Sequence, residues 1–341
     1  MRYTGFFPCC LLPVACCLLP VACCLLPVAC CLFPVACSLK PRTKVPHPMA
    51  NRYNLDLSRI LKSMSSKVAI VTGGTRGIGF GISEQLAADG YDLILGFNSN
   101  ETAAANSKKT LESDYGVKVY TVKGDVAQPE TVDKFFDCLE NNFGGKLTAL
   151  IHNAGLYVGM TTSPASDQAE LAANSQRLLL GDGNLTSLAA YEYYQNVYPK
   201  CFIRCVEKAV KYMEDGQGYI VATSSPGCNM NQTPKLSYIM PGTGKTVVEF
   251  LTRYYARLLA SRQITVNVVI PGFTKTEAWN AVTANSGGVD SEMMQKRIKS
   301  TPMQRWCSPT EVGQVVAFLC SPKAAFITGV ALPIDGGLHL Q

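Results

Sequence analysis

Residues 67–79 read KVAIVTGGTRGIG, and this stretch determines the fold that the sequence predicts. Residues 68–71 form a short, uninterrupted apolar run, as expected for a strand buried on both faces of a parallel sheet. The run passes into a glycine-rich turn, and a helix-compatible pattern begins at Gly77. Glycines in such a turn let the backbone approach a pyrophosphate, and the first amides of the following helix attract its charge. The stretch therefore predicts a dinucleotide-binding unit.

The alternation of strand and helix patterns continues along the chain. Further strands are predicted at residues 92–97, 117–122, 147–151, 219–223, 264–270 and 330–334, and helices near 77–89, 101–114, 129–142, 191–213, 241–260 and 309–320. Strands separated by helix-length segments favour right-handed crossovers and a parallel, doubly wound sheet. We therefore predict one α/β domain over residues 65–341, with a Rossmann-type seven-stranded parallel sheet flanked by helices.

A repetitive segment precedes this domain. Residues 9–36 hold four copies of the heptapeptide CCLLPVA, the last with Phe33 in place of the second leucine. A proline in each copy removes a helical hydrogen bond every second turn, which argues against a membrane-spanning helix. We expect residues 1–64 to be a disordered or wrongly assigned low-complexity extension. A membrane-associated or acylated anchor and a targeting signal are the alternatives.

Basic residues and cysteines are concentrated in this extension. Residues 1–66 hold seven Lys and Arg and one acid, which leaves 24 basic and 24 acidic residues in the remainder. A neutral body argues against nucleic-acid binding, which needs a basic stripe. Nine of the 15 cysteines lie within residues 9–37, and the other six have no zinc-site spacing. The composition predicts a reduced, cytoplasmic protein without a metal.

Short motifs follow the other predicted strands in order. They are DV at 125–126, HNAG at 152–155, SS at 224–225, PG at 271–272 and DGG at 335–337. Together with TGGTRGIG at 72–79, they resemble the short-chain dehydrogenase/reductase family over residues 67–338. The resemblance implies an oxidoreductase that uses a nicotinamide cofactor. It also implies a homodimer or homotetramer, because family members commonly pair the helices beside the active site.

The resemblance assigns cofactor contacts to residues at the strand ends. It implies that Asp125 contacts the adenine, that the turn at Asn153 supports cofactor and sheet, and that Thr274 and Thr276 lie near the nicotinamide carboxamide. The complete predicted set is Gly73, Thr75, Arg76, Gly77, Ile78, Gly79, Asn98, Ser99, Asp125, Val126, Asn153, Ala154, Gly155, Tyr238, Lys245, Pro271, Gly272, Thr274 and Thr276.

The end of the second strand indicates which nicotinamide cofactor is bound. An NAD site typically places an acid there to bind the ribose hydroxyls. Residues 96–100 read GFNSN and contain no carboxylate. Arg76, inside the glycine turn, offers a guanidinium for a 2′-phosphate. We therefore predict NADP(H).

The predicted catalytic residues are Ser225, Tyr238 and Lys245. Hydride reduction of a carbonyl needs a proton donor, and a tyrosine needs a nearby cation to act as one at neutral pH. The family places a lysine four positions after the tyrosine and a serine thirteen before it. Ser225 fits, but position 242 is glycine and Lys245 is seven positions on. Because Pro241 suits a first helical turn, we expect Tyr238 in the loop before that helix, within reach of Lys245.

The family also uses an asparagine in a proton relay. Counting back without gaps places this position at Tyr198, whereas the nearest asparagine is Asn196. Residues two apart face different ways on a helix. Asn196 therefore serves only if the helix contains a local bulge, and both residues stay candidates.

Two long segments, residues 155–190 and 273–308, follow the motifs after the fourth and sixth strands. The first is expected to cover the substrate or to extend an oligomer contact, and the second is expected to cover the substrate and the nicotinamide. The second contains large apolar side chains, which favour a moderately bulky, apolar substrate: Trp279, Met293, Met294, Met303 and Trp306. The main hypothesis is NADP(H)-dependent reduction of a ketone or aldehyde, or the reverse alcohol oxidation, in secondary-metabolite (polyketide) tailoring. The alternatives are an enoyl reductase, whose Tyr–Lys spacing matches, and a cofactor-binding sensor or scaffold without catalysis.

Overall fold

The computed structural model of the protein describes residues 67–155, 188–229, 232–234, 238–283 and 287–341. The predicted extension over residues 1–64 lies outside the described residues. Residues 156–187, which make up most of the long segment after the fourth predicted strand, also lie outside them. No helix within the described ranges combines the length and apolar character needed to cross a membrane. The domain boundary and the cytoplasmic location stay predictions.

Seven strands of the described chain form one sheet in the order β3-β2-β1-β4-β5-β6-β7, and every neighbouring pair is parallel. The strands are β1 (Lys67–Thr72), β2 (Tyr91–Phe97), β3 (Val119–Lys123), β4 (Ala149–His152), β5 (Tyr219–Thr223), β6 (Thr265–Pro271) and β7 (Ala331–Ile334). The predicted doubly wound seven-stranded sheet is confirmed.

Nine α-helices of the described chain connect or flank these strands. They are α1 (Gly77–Ala88), α2 (Glu101–Tyr115), α3 (Pro129–Phe143), α4 (Leu188–Gln195), α5 (Cys201–Ala209), α6 (Ile239–Leu259), α7 (Ala278–Thr283), α8 (Glu292–Ser300) and α9 (Pro309–Leu319). Most observed bounds lie within one or two residues of the predicted ones. The helix expected from Tyr191 begins earlier, at Leu188, and α6 begins at Ile239, before Pro241.

Successive residues of β1 enter different cores, because side chains alternate between the faces of a strand. Val68 and Ile70 join a core that contains residues of α3, α5 and α6. Ala69 and Val71 join a second core with residues of α1, α2 and α9. All four side chains are fully buried. This two-sided burial explains the continuous apolar run that predicted the strand.

The strand order reverses between β1 and β4, which are neighbours at the centre of the sheet. In open parallel sheets, ligands bind in the crevice beyond the carboxyl ends of the strands at such a point. The glycine turn after β1 and the HNAG motif at the end of β4 therefore meet at the crevice.

A π-helical stretch, Asn196–Lys200, joins α4 to α5 without a break. Pro199 lies inside it. Proline has no amide hydrogen and its ring clashes with the carbonyl four residues earlier, and π-helical turns are frequent at functional sites. The sequence-based choice of Asn196 requires such a local bulge.

Candidate active site

The turn between β1 and α1 is a backbone cradle. Gly73 and Gly77 have φ angles of +64° and +54°, a left-handed conformation that glycine adopts without strain. A Cβ atom on Gly79 would overlap the carbonyl oxygen of Gly73, so only glycine lets α1 pack this closely against the turn. The residues present therefore fit a dinucleotide pyrophosphate beside a helix N-terminus.

Asn153 connects this cradle to three strands. Its Nδ2 donates to the carbonyl oxygens of Thr72 and Gly73 at 3.3 and 3.2 Å. Its Oδ1 accepts a hydrogen bond from Oγ1 of Thr223, the last residue of β5, at 3.4 Å. The amides of Asn153 and Ala154 both donate to Thr72 Oγ1. Asn153 thus holds the carboxyl ends of β1, β4 and β5 together under the glycine turn.

Asp125, the residue expected near the adenine, follows β3. Its Oδ1 accepts from the amide of Ala127 at 2.9 Å, and its Oδ2 accepts from the hydroxyl of Tyr193 at 3.0 Å. Burial, together with the neighbouring carboxylate, raises the pKa of Tyr193, so the phenol stays a proton donor. Sequence reasoning missed Tyr193, because nothing in the run YEYY at 191–194 distinguishes it from its neighbours.

The residues expected near the 2′-phosphate lie at adjacent strand ends. Arg76 is exposed at the residue that precedes α1, and Asn98 and Ser99 are exposed immediately after β2. Thr75 is buried, and its carbonyl oxygen accepts from Ser107 Oγ at 2.6 Å. Because β1 and β2 are neighbours, the guanidinium and the two polar residues belong to one edge of the crevice.

The residues expected near the nicotinamide follow β6. Gly272 donates its amide hydrogen to Ile334, and a Cβ on Gly272 would lie 2.7 Å from Cα of Asp335. Thr274 is buried and donates to the carbonyl oxygen of Gly272 at 3.3 Å. A Cβ on Gly77 would lie 3.5 Å from Thr276, so this threonine lies against the glycine cradle.

The remaining members of the predicted set differ in their surroundings. Val126 and Ala154 are buried in the core, and Ile78 packs beside the second core. Pro271 ends β6, opposite Ile334 of β7, whereas Gly155 is exposed. The apolar side chains of this group therefore support the crevice from within the core.

Ser225 and Tyr238 meet beyond the end of β5. Ser225 Oγ and the Tyr238 hydroxyl are 2.9 Å apart, a hydrogen bond in which either group can donate. Tyr238 is the residue directly before α6, so it precedes the helix although the helix begins two residues before Pro241. The thirteen-residue spacing in the sequence therefore corresponds to a direct contact.

Lys245 lies in the second turn of α6 and is 4% exposed. Its Nζ donates to the carbonyl oxygen of Thr223 at 2.5 Å, two residues before Ser225. Burial lowers the pKa of Lys245 to about 8, and the nearby Cys228 and Glu249 act in the opposite direction. The amine is thus held at the strand end that carries the serine–tyrosine pair.

A buried carboxyl group, Glu249, follows Lys245 one turn later on α6. Its Oε1 accepts a hydrogen bond from Ser224 Oγ at 2.5 Å, and burial raises its pKa. Sequence reasoning did not single out this pair. The signal available was an acid four residues after the lysine, which places both on one helix face.

The π-helical stretch brings Tyr198 to the same place. The Tyr198 ring is 2% exposed, and its centroid lies 4.2 Å from Lys245 Nζ. Asn196 is half-buried in the first position of the stretch. The structure thus places Tyr198 against the amine, and the relay role of Asn196 stays a prediction.

An aromatic trio, defined as Phe273, Trp279 and Trp306, forms in the region expected to cover the substrate. Its ring centroids lie 5.6 to 6.3 Å apart. Met303, in the same region, is 64% exposed, whereas Met294 is fully buried. Met294 therefore belongs to the core, which corrects its inclusion among the substrate-facing residues.

A family model described as Enoyl-(Acyl carrier protein) reductase matches residues 73–339. The chain belongs to the short-chain dehydrogenase/reductase family. The predicted family and the predicted class of enzyme, an oxidoreductase, are confirmed. This short-chain dehydrogenase/reductase is 29% identical over 282 residues to the hydroxynaphthalene reductase-like protein Arp2 of Metarhizium brunneum. The aligned region covers 81% of this chain and 96% of Arp2.

Two further relatives align with a similar share of this chain. The chain is 30% identical over 275 residues to the 3-oxoacyl-[acyl-carrier-protein] reductase FabG of Aquifex aeolicus, covering 81% of this chain and 98% of FabG. A short-chain dehydrogenase from Burkholderia cenocepacia, solved in complex with NADP, is 28% identical with a TM-score of 0.65 and covers 80% of this chain and 97% of that chain. The likeness therefore extends over nearly the whole length of each relative.

Proposed function

We propose that this chain is an NADP(H)-dependent reductase of a ketone on a moderately bulky, apolar substrate, with Tyr238 as the proton donor. The observation that carries the proposal is the 2.9 Å hydrogen bond between Ser225 and Tyr238. It lies at the same end of β5 as the buried amine of Lys245. A donor, a partner that orients it and a cation are the groups that carbonyl reduction requires.

Each of the three side chains has a separate task in this proposal. The hydroxyl of Tyr238 binds the substrate oxygen and gives it a proton as negative charge develops. Ser225 hydrogen-bonds the same oxygen and keeps the phenol oriented. The ammonium of Lys245 binds the nicotinamide ribose and lowers the pKa of the phenol. The reduced cofactor supplies the hydride when it is bound.

The predicted cofactor, NADP(H), is confirmed by the relative that was solved with NADP. In this chain, we assign recognition of the 2′-phosphate to Arg76, with Asn98 and Ser99 beside it. All three are exposed at the ends of β1 and β2, and a guanidinium binds phosphate in a bidentate manner. Asp125, held by Tyr193, borders the adenine.

The substrate class is proposed from the aromatic trio and the relatives. Phe273, Trp279 and Trp306 offer ring surface in the region after β6, and aromatic rings stack on one another in offset or edge-to-face geometry. One relative is named for hydroxynaphthalene reduction and another for 3-oxoacyl reduction. These support an aromatic or polyketide-derived ketone, in secondary metabolism, over a small charged one.

The test measures NADPH oxidation with bicyclic aromatic ketones, 3-oxoacyl thioesters and aliphatic aldehydes, with product identification. Tyr238→Phe is expected to lower kcat by at least about 10²-fold, while NADPH binding is retained. Tyr120→Phe, on the edge strand β3, is the matched control and is expected to leave kcat unchanged. Near-normal turnover by Tyr238→Phe with bound NADPH would contradict the proposal.

A second candidate is reduction of a conjugated C=C bond. It is favoured by the seven-residue spacing of Tyr238 and Lys245 and by the description of the matching family model. An enoyl thioester in the same assay separates the two reactions, because its reduction saturates a C=C bond, whereas reduction of a ketone gives an alcohol. Binding of NADPH without turnover of any compound would indicate the third alternative, a sensor or scaffold.

We further propose that the enzyme is a cytoplasmic homodimer or homotetramer that pairs through α6. One face of this helix carries exposed apolar side chains at helical spacing, namely Val247, Phe250, Tyr254 and Leu258, which are 39 to 58% exposed. Apolar patches of this kind on a helix favour burial against a second copy. The helix carries Lys245 as well, so pairing would stabilise the catalytic helix.

A further inference from the structure

The aromatic face of Tyr198 covers the amine of Lys245. The Nζ atom lies 4.2 Å from the ring centroid, within the range of about 6 Å over which a cation and a ring attract. Tyr198 is 2% and Lys245 is 4% exposed. Because water does not screen the contact, its contribution is larger than at an exposed site.

Three neighbouring features hold the Tyr198 ring in place. The ring lies in the π-helical stretch Asn196–Lys200, and it stacks on Tyr194 with centroids 5.9 Å apart and planes 14° apart. A Cβ on Gly244 would lie 2.9 Å from Cδ2 of Tyr198, so glycine leaves the space that the ring fills. The absence of a side chain at Gly244, directly before Lys245, therefore lets the Tyr198 ring lie against the Lys245 amine.

The other groups around the amine come from α6, from the end of β5 and from the loop that follows β5. Thr223 accepts its hydrogen bond, and Glu249 and Cys228 are the titratable neighbours that act on its charge. Burial raises the pKa of both Glu249 and Cys228, which disfavours the charged form of each. The ring face, like the carbonyl oxygen of Thr223, favours the ammonium form without requiring ionisation of its own.

We propose that Tyr198 is a positioning residue that holds Lys245 as an ammonium ion against its ring face. This inference rests on the proposed roles of Tyr238 and Lys245. The ring, rather than the phenol hydroxyl, performs the task, at the position where the resemblance places a relay asparagine. The lysine that stands seven residues after Tyr238 is thereby kept charged and aimed at the crevice.

The experiment replaces Tyr198 in the full chain by phenylalanine and by mono-, di- and trifluorinated phenylalanine. Fluorination keeps the shape of the ring while it weakens the attraction of the ring face for a cation. Two readouts are taken, the NADPH dissociation constant and, without cofactor, the NMR titration of the ¹⁵N-labelled Lys245 amine. Tyr198→Phe is expected to match the wild type, and the trifluorinated variant to bind NADPH about tenfold more weakly.

The amine titration should move stepwise to lower pH along the same series. Fluorinated phenylalanine at Tyr120, whose ring faces the exposed Lys108 at 5.4 Å, is the matched control and should leave both readouts unchanged. Equal values across the fluorinated series would overturn the inference, as would a loss by Tyr198→Phe alone as large as that of the trifluorinated variant. Tyr198→Leu, which removes the ring, should lose at least as much as the trifluorinated variant.

The result separates this inference from the proposed function. A flat series together with an inactive Tyr238→Phe enzyme overturns only the role of the Tyr198 ring. An active Tyr238→Phe enzyme overturns the proposed catalytic site, whatever the series shows.

Discussion

Replacing Lys245 by methionine should stabilise the folded protein while it abolishes the proposed activity. The amine is buried in the second turn of α6, and burial lowers its pKa from 10.5 to about 8. Below pH 8 this difference corresponds to about 3 kcal/mol by which the buried ammonium destabilises the fold. Methionine has a similar length and no charge, but it loses the hydrogen bond to Thr223 and the cation–ring contact with Tyr198, which together contribute about 2 kcal/mol. The net gain expected at pH 7 is about 1 kcal/mol.

The pH dependence of this gain is the distinctive part of the prediction. Between pH 8 and 10.5 the unfolded chain still binds the proton that the folded chain has released, so the stability of the wild type rises with pH. The advantage of Lys245→Met should therefore be fully present below pH 8 and disappear as the pH approaches 10.5. The cause is the depressed pKa of a base, which makes the charged form costly only in the folded state.

Denaturant unfolding of both proteins at several pH values between 6 and 10 measures the difference. Lys134→Met, on the exposed side of α3, is the matched control and should change stability little at any pH. A variant that is less stable than the wild type at pH 7, or a difference that stays constant from pH 6 to 10, would refute the reasoning.

Three other substitutions test the cofactor cradle and the assembly. Arg76→Glu should lower kcat/KM for NADPH by about 10- to 100-fold, because charge-assisted hydrogen bonds to phosphate contribute ~1.5–3 kcal/mol; steady-state kinetics with NADPH and NADH measure this, and a wild type that prefers NADH would contradict it. Gly79→Ala should abolish NADPH binding and lower Tm by several degrees, since its Cβ overlaps the Gly73 carbonyl; unchanged binding in a thermal-shift titration would count against the cradle. Phe250→Glu should dissociate the oligomer in size-exclusion chromatography with light scattering, because it places a charge on the apolar face of α6; a monomeric wild type would refute the interface.

The parts of the fold that sequence predicted are those with a local signal. The apolar run at residues 68–71 indicates a strand that is buried on both faces. The glycines after it indicate a turn that side chains would block. The predicted strands therefore match the observed sheet to within two residues at either end. Pro241 was a weaker guide: it suits any position in a first turn, so the helix could begin earlier, at Ile239.

Within the site, the serine–tyrosine contact followed from its spacing, because both residues lie at ends of elements whose order the fold dictates. The contact of Tyr193 with Asp125 had no such signal, and the spacing that placed Tyr198 at the relay position did not indicate the contact of its ring with Lys245. Each joins the helix formed by α4 and α5 to a distant part of the chain. Which face that helix presents depends on the π-helical stretch, and the sequence shows only a proline there.

The sequence alone determined the doubly wound sheet, the glycine turn after β1 and the family, because each depends on short patterns that constrain backbone conformation and burial. Only the tertiary structure decided what surrounds Lys245. The amine is seven residues from Tyr238, and its partners come from the end of β5 and from the π-helical stretch. Their positions are set by packing between elements, and packing distances between distant residues are not encoded in any local pattern.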